Sequence, residues 1–194
     1  MVPNTLVVIF FSLSSLCLAG DIILDSNKDA CRVYLSCATC ITKKSCTWCV
    51  TKSRCTQQAC GNDNVIYPSD VPALMSGPDF CPRVDESKPV TIKSGAKEIL
   101  AVKITQIYLY MAFTPWKCKI TLKGKEKIVP AVLIGDKVYC EVMEFTNDTE
   151  DPSIEGSVAV LWDYNKSFDG SLPFKICRCD LDPACKACKL RIVS

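Results

Sequence analysis

The sequence predicts a mostly β protein in two parts: a small disulfide-stapled block, then a β-sandwich of about ninety residues. Three observations predict it. Cysteines crowd both ends of the chain and thin out between them. The middle alternates apolar and polar residues with period two. Turn signals recur through that middle at short intervals.

The chain opens with MVPNTLVVIFFSLSSLCLAG, which contains no Asp, Glu, Lys or Arg. An apolar run from Leu6 to Leu18 ends in small residues. That is the pattern of a secretory signal over residues 1–19, cut after Ala19 or Gly20. The run is short for a membrane span, and no later stretch is long and apolar enough to cross a bilayer. The expected location is therefore secreted, or the extracellular side of the cell surface.

Of 15 cysteines, Cys17 leaves with the signal and fourteen remain, an even number suited to an oxidising compartment. Histidine is absent, which removes His-based zinc sites, Ser-His and Cys-His catalysis, and histidine pH switching. A formal net charge of +2 gives no field for nucleic acid. There is no Gly-rich phosphate loop, no GxSxG and no recognisable carboxylate pair. The expectation is a non-enzyme with no cofactor and no metal site.

The first block holds Cys31, Cys37, Cys40, Cys46, Cys49, Cys55, Cys60 and Cys81. Two CxxC pairs lie only five residues apart in CATCITKKSCTWC, whereas zinc ribbons separate theirs by roughly 15–20. A redox CxxC needs a βαβ context, and Thr42 to Cys60 is polar and turn-rich. Structural disulfides are the better reading, because so small a block needs staples. Eight cysteines permit 105 pairings, and spacing does not choose among them.

The string C-x5-C-x2-C-x5-C-x-W-C-x5-C-x4-C…C, with Trp48 between Cys46 and Cys49, resembles a PSI domain over residues 29–82. That resemblance implies the pairs Cys31–Cys46, Cys37–Cys81, Cys40–Cys55 and Cys49–Cys60. It also implies that Trp48 is the main apolar body of a core made largely of sulfur.

In the middle block, Leu100, Val102 and Ile104 alternate with Ala101, Lys103 and Thr105, as a half-buried strand does. WKCKITL puts Cys118, Ile120 and Leu122 on one face, and Lys123-Gly124 then signals a turn. KIVPAVLI is an apolar run whose Pro130 indicates an edge or a bulge. KVYCEV places Val138, Cys140 and Val142 inward, and SVAVLW groups Val158, Val160 and Trp162. Cys118 and Cys140 share the apolar parity of their strands, so they are expected to pair across the core. Their loop would contribute about 3 kcal/mol.

A PSI-like block followed by such a sandwich is similar to the PSI–IPT unit of plexins. CPRV, LAVKIT and VAVLWD…FDGSLPFKICRC all resemble plexin text; QIYLYMAFTPW fits it less well. The resemblance implies an immunoglobulin-like IPT/TIG β-sandwich over residues 83–176. After it, Cys179-x5-Cys185-x2-Cys188 repeats the spacing of Cys31, Cys37 and Cys40. Residues 177–194 then read as the truncated start of a second PSI domain. Its cysteines, with Cys177, lack downstream partners, so disulfide-linked oligomers through Cys177, Cys179, Cys185 and Cys188 are expected.

Asn147-Asp148-Thr149 and Asn165-Lys166-Ser167 are sequons in polar loops, with Asn147 the better acceptor because its third residue is Thr. The basic residues Lys43, Lys44, Lys52 and Arg54 read as a solvated loop rather than a glycan site. The acidic stretch Glu144 to Glu155 has no calcium-loop register. The expected function is a non-enzymatic extracellular structural and protein-interaction module. It resembles a plexin stalk without the sema domain, membrane span or cytoplasmic region of that semaphorin receptor family. Its expected partner is an extracellular protein, of semaphorin or plexin type. The alternatives are a secreted short form that modulates a related receptor, or a small cysteine-rich inhibitor.

Overall fold

The computed structural model describes residues 29–85 and 89–189. The signal expected over residues 1–19 and the last five residues of the tail lie outside the described residues.

The first block has little regular structure because it has few aliphatic side chains to bury. A 3-10 turn at Ala30–Val33 is followed by one helical turn, α1 (Cys37–Cys40). Then comes a three-stranded antiparallel sheet of β1 (Thr47–Cys49), β2 (Arg54–Thr56) and β3 (Val65–Ile66), with β1 central. Trp48 lies on β1, opposite Cys55 on one side and Ile66 on the other, and is 3% exposed. Four disulfides surround it: Cys31–Cys46, Cys37–Cys81, Cys40–Cys55 and Cys49–Cys60. Buried Ile41, Val50 and Ile66 complete the core.

Eleven further strands follow: β4 (Arg83–Val84), β5 (Val90–Lys93), β6 (Ala96–Glu98), β7 (Ala101–Thr105), β8 (Trp116–Leu122), β9 (Lys125–Ile134), β10 (Lys137–Cys140), β11 (Met143–Phe145), β12 (Ser153–Trp162), β13 (Lys166–Ser167) and β14 (Leu172–Cys177). The main ladder runs β4-β7-β10-β9-β8-β12-β14-β5, with β13 paired to β12 and β6 to β11. All neighbours are antiparallel except β14 and β5.

One strand turns this ladder into a sandwich. The first part of β9, Lys125 to Ala131, pairs with β8, and Ala131 to Ile134 pairs with β10. β9 therefore passes from one layer to the other at Pro130-Ala131. Proline has no N–H to give a ladder, so the switch falls where little bonding is lost. Cys118 on β8 and Cys140 on β10 are joined beside it, with Cα atoms 5.6 Å apart. The core between the layers holds Val102, Ile104, Ile120, Val138, Val158 and Phe174.

The inward placement of Val142 is a correction. β10 ends at Cys140 and the chain kinks before β11 pairs with β6, so Val142 is 55% exposed. KIVPAVLI also buries less than its composition suggests. Ile128, Val132 and Ile134 point outward and are more than half exposed.

The tail brings a second correction. Cys177 bonds Cys185, and Cys179 bonds Cys188. The sequence expectation of intermolecular bonds through these four residues treated each as needing a distant downstream partner. Instead the chain turns back on itself directly after β14. Leu181 N and Asp182 N both donate to Arg178 O, and Cys185 N to Asp182 O. That turn carries residues 185–188 back to the strand end, where the four cysteines pair off.

Candidate functional site

The sequence places no catalytic group, and a polar constellation that joins the two blocks lies where they meet. Its centre is Asp169, in the loop between β13 and β14. The Asp169 main chain joins the segment leaving Cys81: Asp169 N donates to Pro82 O at 2.9 Å, and Val84 N donates to Asp169 O at 2.8 Å. This fixes the carboxylate at the start of α1, where it accepts from Cys37 N at 3.0 Å and Ala38 N at 2.7 Å. Ser36 Oγ accepts from Thr39 N at 3.2 Å. The first N–H groups of a helical turn have no partner within it, and here three are satisfied, two of them by the other block. Burial pushes the Asp169 carboxyl up from 3.8, and the two N–H groups oppose that rise.

A second contact comes from QIYLYMAF, which forms a 3-10 turn at Leu109–Phe113. Tyr108 Oη donates to Phe80 O at 3.1 Å, and its ring stacks on Tyr110 with centroids 6.0 Å apart. Tyr110 in turn packs on Trp162 at 6.0 Å. Its hydroxyl is buried near Thr51 and Asn64 without a well-formed hydrogen bond. Burial raises both phenols, Tyr108 to about 12. Trp48, Val50 and Pro82 face Trp162 and Ser167 across the seam. The hydrophobic cores of the two blocks are thus continuous. Beside the seam, Ser36, Ala38, Arg83, Asp85, Asp169 and Gly170 line an open cleft of about 410 Å³.

The other sequence-predicted residues are scattered. Lys43 lies over the Tyr34 ring at 5.4 Å, Lys44 pairs with Asp70 at 3.4 Å, and Lys52 donates to Cys60 O at 2.9 Å. Arg54 is half-buried on β2. The basic residues are therefore spread over local contacts and do not form a continuous patch. Asn147 is buried and Asn165 is exposed. Among the described residues, two groups of metal-ligating side chains converge, Cys31 with Cys46 and Cys55, and Cys37 with Cys81 and Asp169. Every sulfur in them is in a disulfide, so none offers the thiolate a metal takes. Sequence reasoning missed Asp169, Tyr108 and Tyr110. The irregular QIYLYMAFTPW, which breaks the strand period, was the one local signal.

Residues 88–176 match the model of the TIG domain found in plexin. Among solved structures, the chain is similar to the plexin A4 full extracellular region, domains 1 to 8, with a TM-score of 0.62 and 18% identity. That alignment covers 78% of this chain and 15% of that one. A second structure of the same region, domains 1 to 10, gives a TM-score of 0.57 at 18% identity, over 76% of this chain and 13% of that one. The chain thus spans a small part of the length of either. No curated protein matches it. Residues 88–176 thus match the TIG domain found in plexin, and the fold of the chain is similar to part of the plexin A4 extracellular region.

Proposed function

We propose that this chain is a non-enzymatic extracellular spacer whose task is to hold two small domains at a fixed angle, as a PSI-like block on a TIG domain. The observation that carries this is the seam. A half-buried carboxylate satisfies backbone N–H groups of the neighbouring block, and Tyr108 stacked on Tyr110, with Trp162 tilted against Tyr110, closes beside it. Domains of one chain move relative to each other unless their interface is large and apolar, and here the two cores run together. The outward-facing Ile128, Val132 and Ile134 offer apolar surface to a protein partner. That partner would be an extracellular protein of semaphorin or plexin type, although semaphorin binding is assigned to none of these residues.

Residual dipolar couplings from both blocks test the reading. One alignment tensor should fit the unaltered protein, and Asp169→Ala with Tyr108→Phe should require two. Two tensors for the unaltered protein would end the fixed-angle reading.

A further inference from the structure

We propose that Asn165 carries the N-linked glycan of this chain, and that Asn147, the sequon with the better acceptor residue, is instead a buried lock that stays unmodified in the folded protein. The proposal rests on the extracellular reading, since the modification belongs to the secretory route.

The two sequons differ in what their amide nitrogens are doing. Asn147 is 4% exposed. Its Nδ2 donates to Asp151 O at 3.0 Å. Its Oδ1 accepts from Thr149 N at 3.1 Å and from Thr149 Oγ1 at 2.6 Å. Its backbone N donates to Ser94 Oγ at 2.9 Å. The loop so closed is held from outside by Arg178, whose guanidinium donates to Thr149 O at 2.7 Å and whose backbone N donates to Pro152 O at 2.9 Å. Arg178 lies between Cys177 and Cys179, so the Asn147 loop is fastened to the disulfide-paired tail.

Asn165 sits at the tip of the hairpin joining β12 to β13. The loop has three residues, Asp163, Tyr164 and Asn165, between the paired Trp162 and Lys166, and Asp163 and Tyr164 take the positive φ values of 42° and 76° that turn the chain so sharply. Asn165 and Ser167 are exposed, and Tyr164 is 69% exposed. Among the described residues no hydrogen bond engages the Asn165 side chain.

Glycan transfer forms a bond between the asparagine Nδ2 and C1 of the sugar. The bond from C1 to a lipid-linked pyrophosphate breaks, the lipid pyrophosphate leaves, and the amide loses one proton. The product needs room along the Nδ2 bond. At Asn165 that direction is solvent. At Asn147 a sugar would have to displace the loop Thr146 to Pro152 together with the Arg178 contact. A chain modified there cannot reach this fold.

The test is to express the full chain in animal cells with a proven secretion signal in place of residues 1–19. The released protein is deglycosylated enzymatically in heavy-oxygen water, which marks each formerly glycosylated asparagine as labelled aspartate. Peptide mapping should find Asn165 marked and Asn147 unmarked. Asn165→Gln should remove the single glycan step on a gel and leave the melting temperature in place. Asn147→Gln should keep that step and melt about 5 °C lower. A marked Asn147, or an unmarked Asn165, in the unaltered released protein overturns the proposal. That map decides even if Asn147→Gln is not released. A parallel expression with the native residues 1–19 tests secretion separately: failure to reach the medium there counts against the extracellular reading alone.

Discussion

Asp29 shows how one side chain ties down a segment with almost no regular structure. Its side chain is 1% exposed, and its carboxylate accepts from Cys31 N and Gln57 N, each at 3.1 Å, and from the Thr56 hydroxyl. Burial pulls its carboxyl up. The hydrogen bonds and the Arg32 charge outweigh that, and the group ends below its ordinary 3.8. A carboxyl lowered by folding stabilises the fold above its unfolded value, and that stability is lost as pH falls through the folded value. Acid should therefore weaken the first block through Asp29. Asp29→Asn should cost about 1–3 kcal/mol at neutral pH and flatten the acid limb of the melting profile. Equal acid limbs in both proteins would remove Asp29 from that role. Gly156 makes a steric case. A Cβ there would meet the Phe174 ring, and Thr121 O at 2.8 Å. Gly156→Ala should lower stability by about 1–3 kcal/mol by overpacking, and an unchanged chemical midpoint would show that the Phe174 ring gives way.

At the scale of elements, the strands whose residues alternate cleanly were legible. Leu100, Val102 and Ile104 on or beside β7, Cys118 and Ile120 on β8, and Val158, Val160 and Trp162 on β12 are all buried. β9 was not. An unbroken apolar run does not say which of its faces is covered, and a strand that changes layers belongs to two ladders. Only Pro130 marked the place. The Cys118–Cys140 bond sits on that switch, and its loss should be felt in the whole sandwich. Replacing both residues with Ala should cost about 3 kcal/mol, lowering the melting temperature by roughly 6–12 °C. A drop of a degree or two would mean that the ladder bonds of β9 hold the two layers without the bridge.

At the scale of the whole molecule, sequence reading saw two blocks and not the seam between them. Cys37 and Asp169 are 132 positions apart, so no local period records their contact. Nor did it see how the tail closes, since a repeated cysteine spacing gives positions and not partners. The structure makes the oligomeric state testable in a way that separates the two tail bonds. With Cys177–Cys185 and Cys179–Cys188 both formed within the chain, the unaltered protein should run as a monomer on a non-reducing gel and titrate no free thiol across residues 177–188. The two bonds differ in exposure: Cys177 is fully buried at the end of β14, whereas Cys179 and Cys188 are each partly exposed. Reaction between chains needs an accessible thiolate. Cys188→Ala should therefore leave an accessible Cys179 and yield disulfide-linked dimers. Cys185→Ala should leave its unpaired thiol under the sheet and yield mostly monomer that titrates one thiol only after denaturation. Dimers from the unaltered chain would restore the intermolecular expectation for the tail. Equal dimerisation of the two variants would show that the end of β14 opens often enough to expose Cys177.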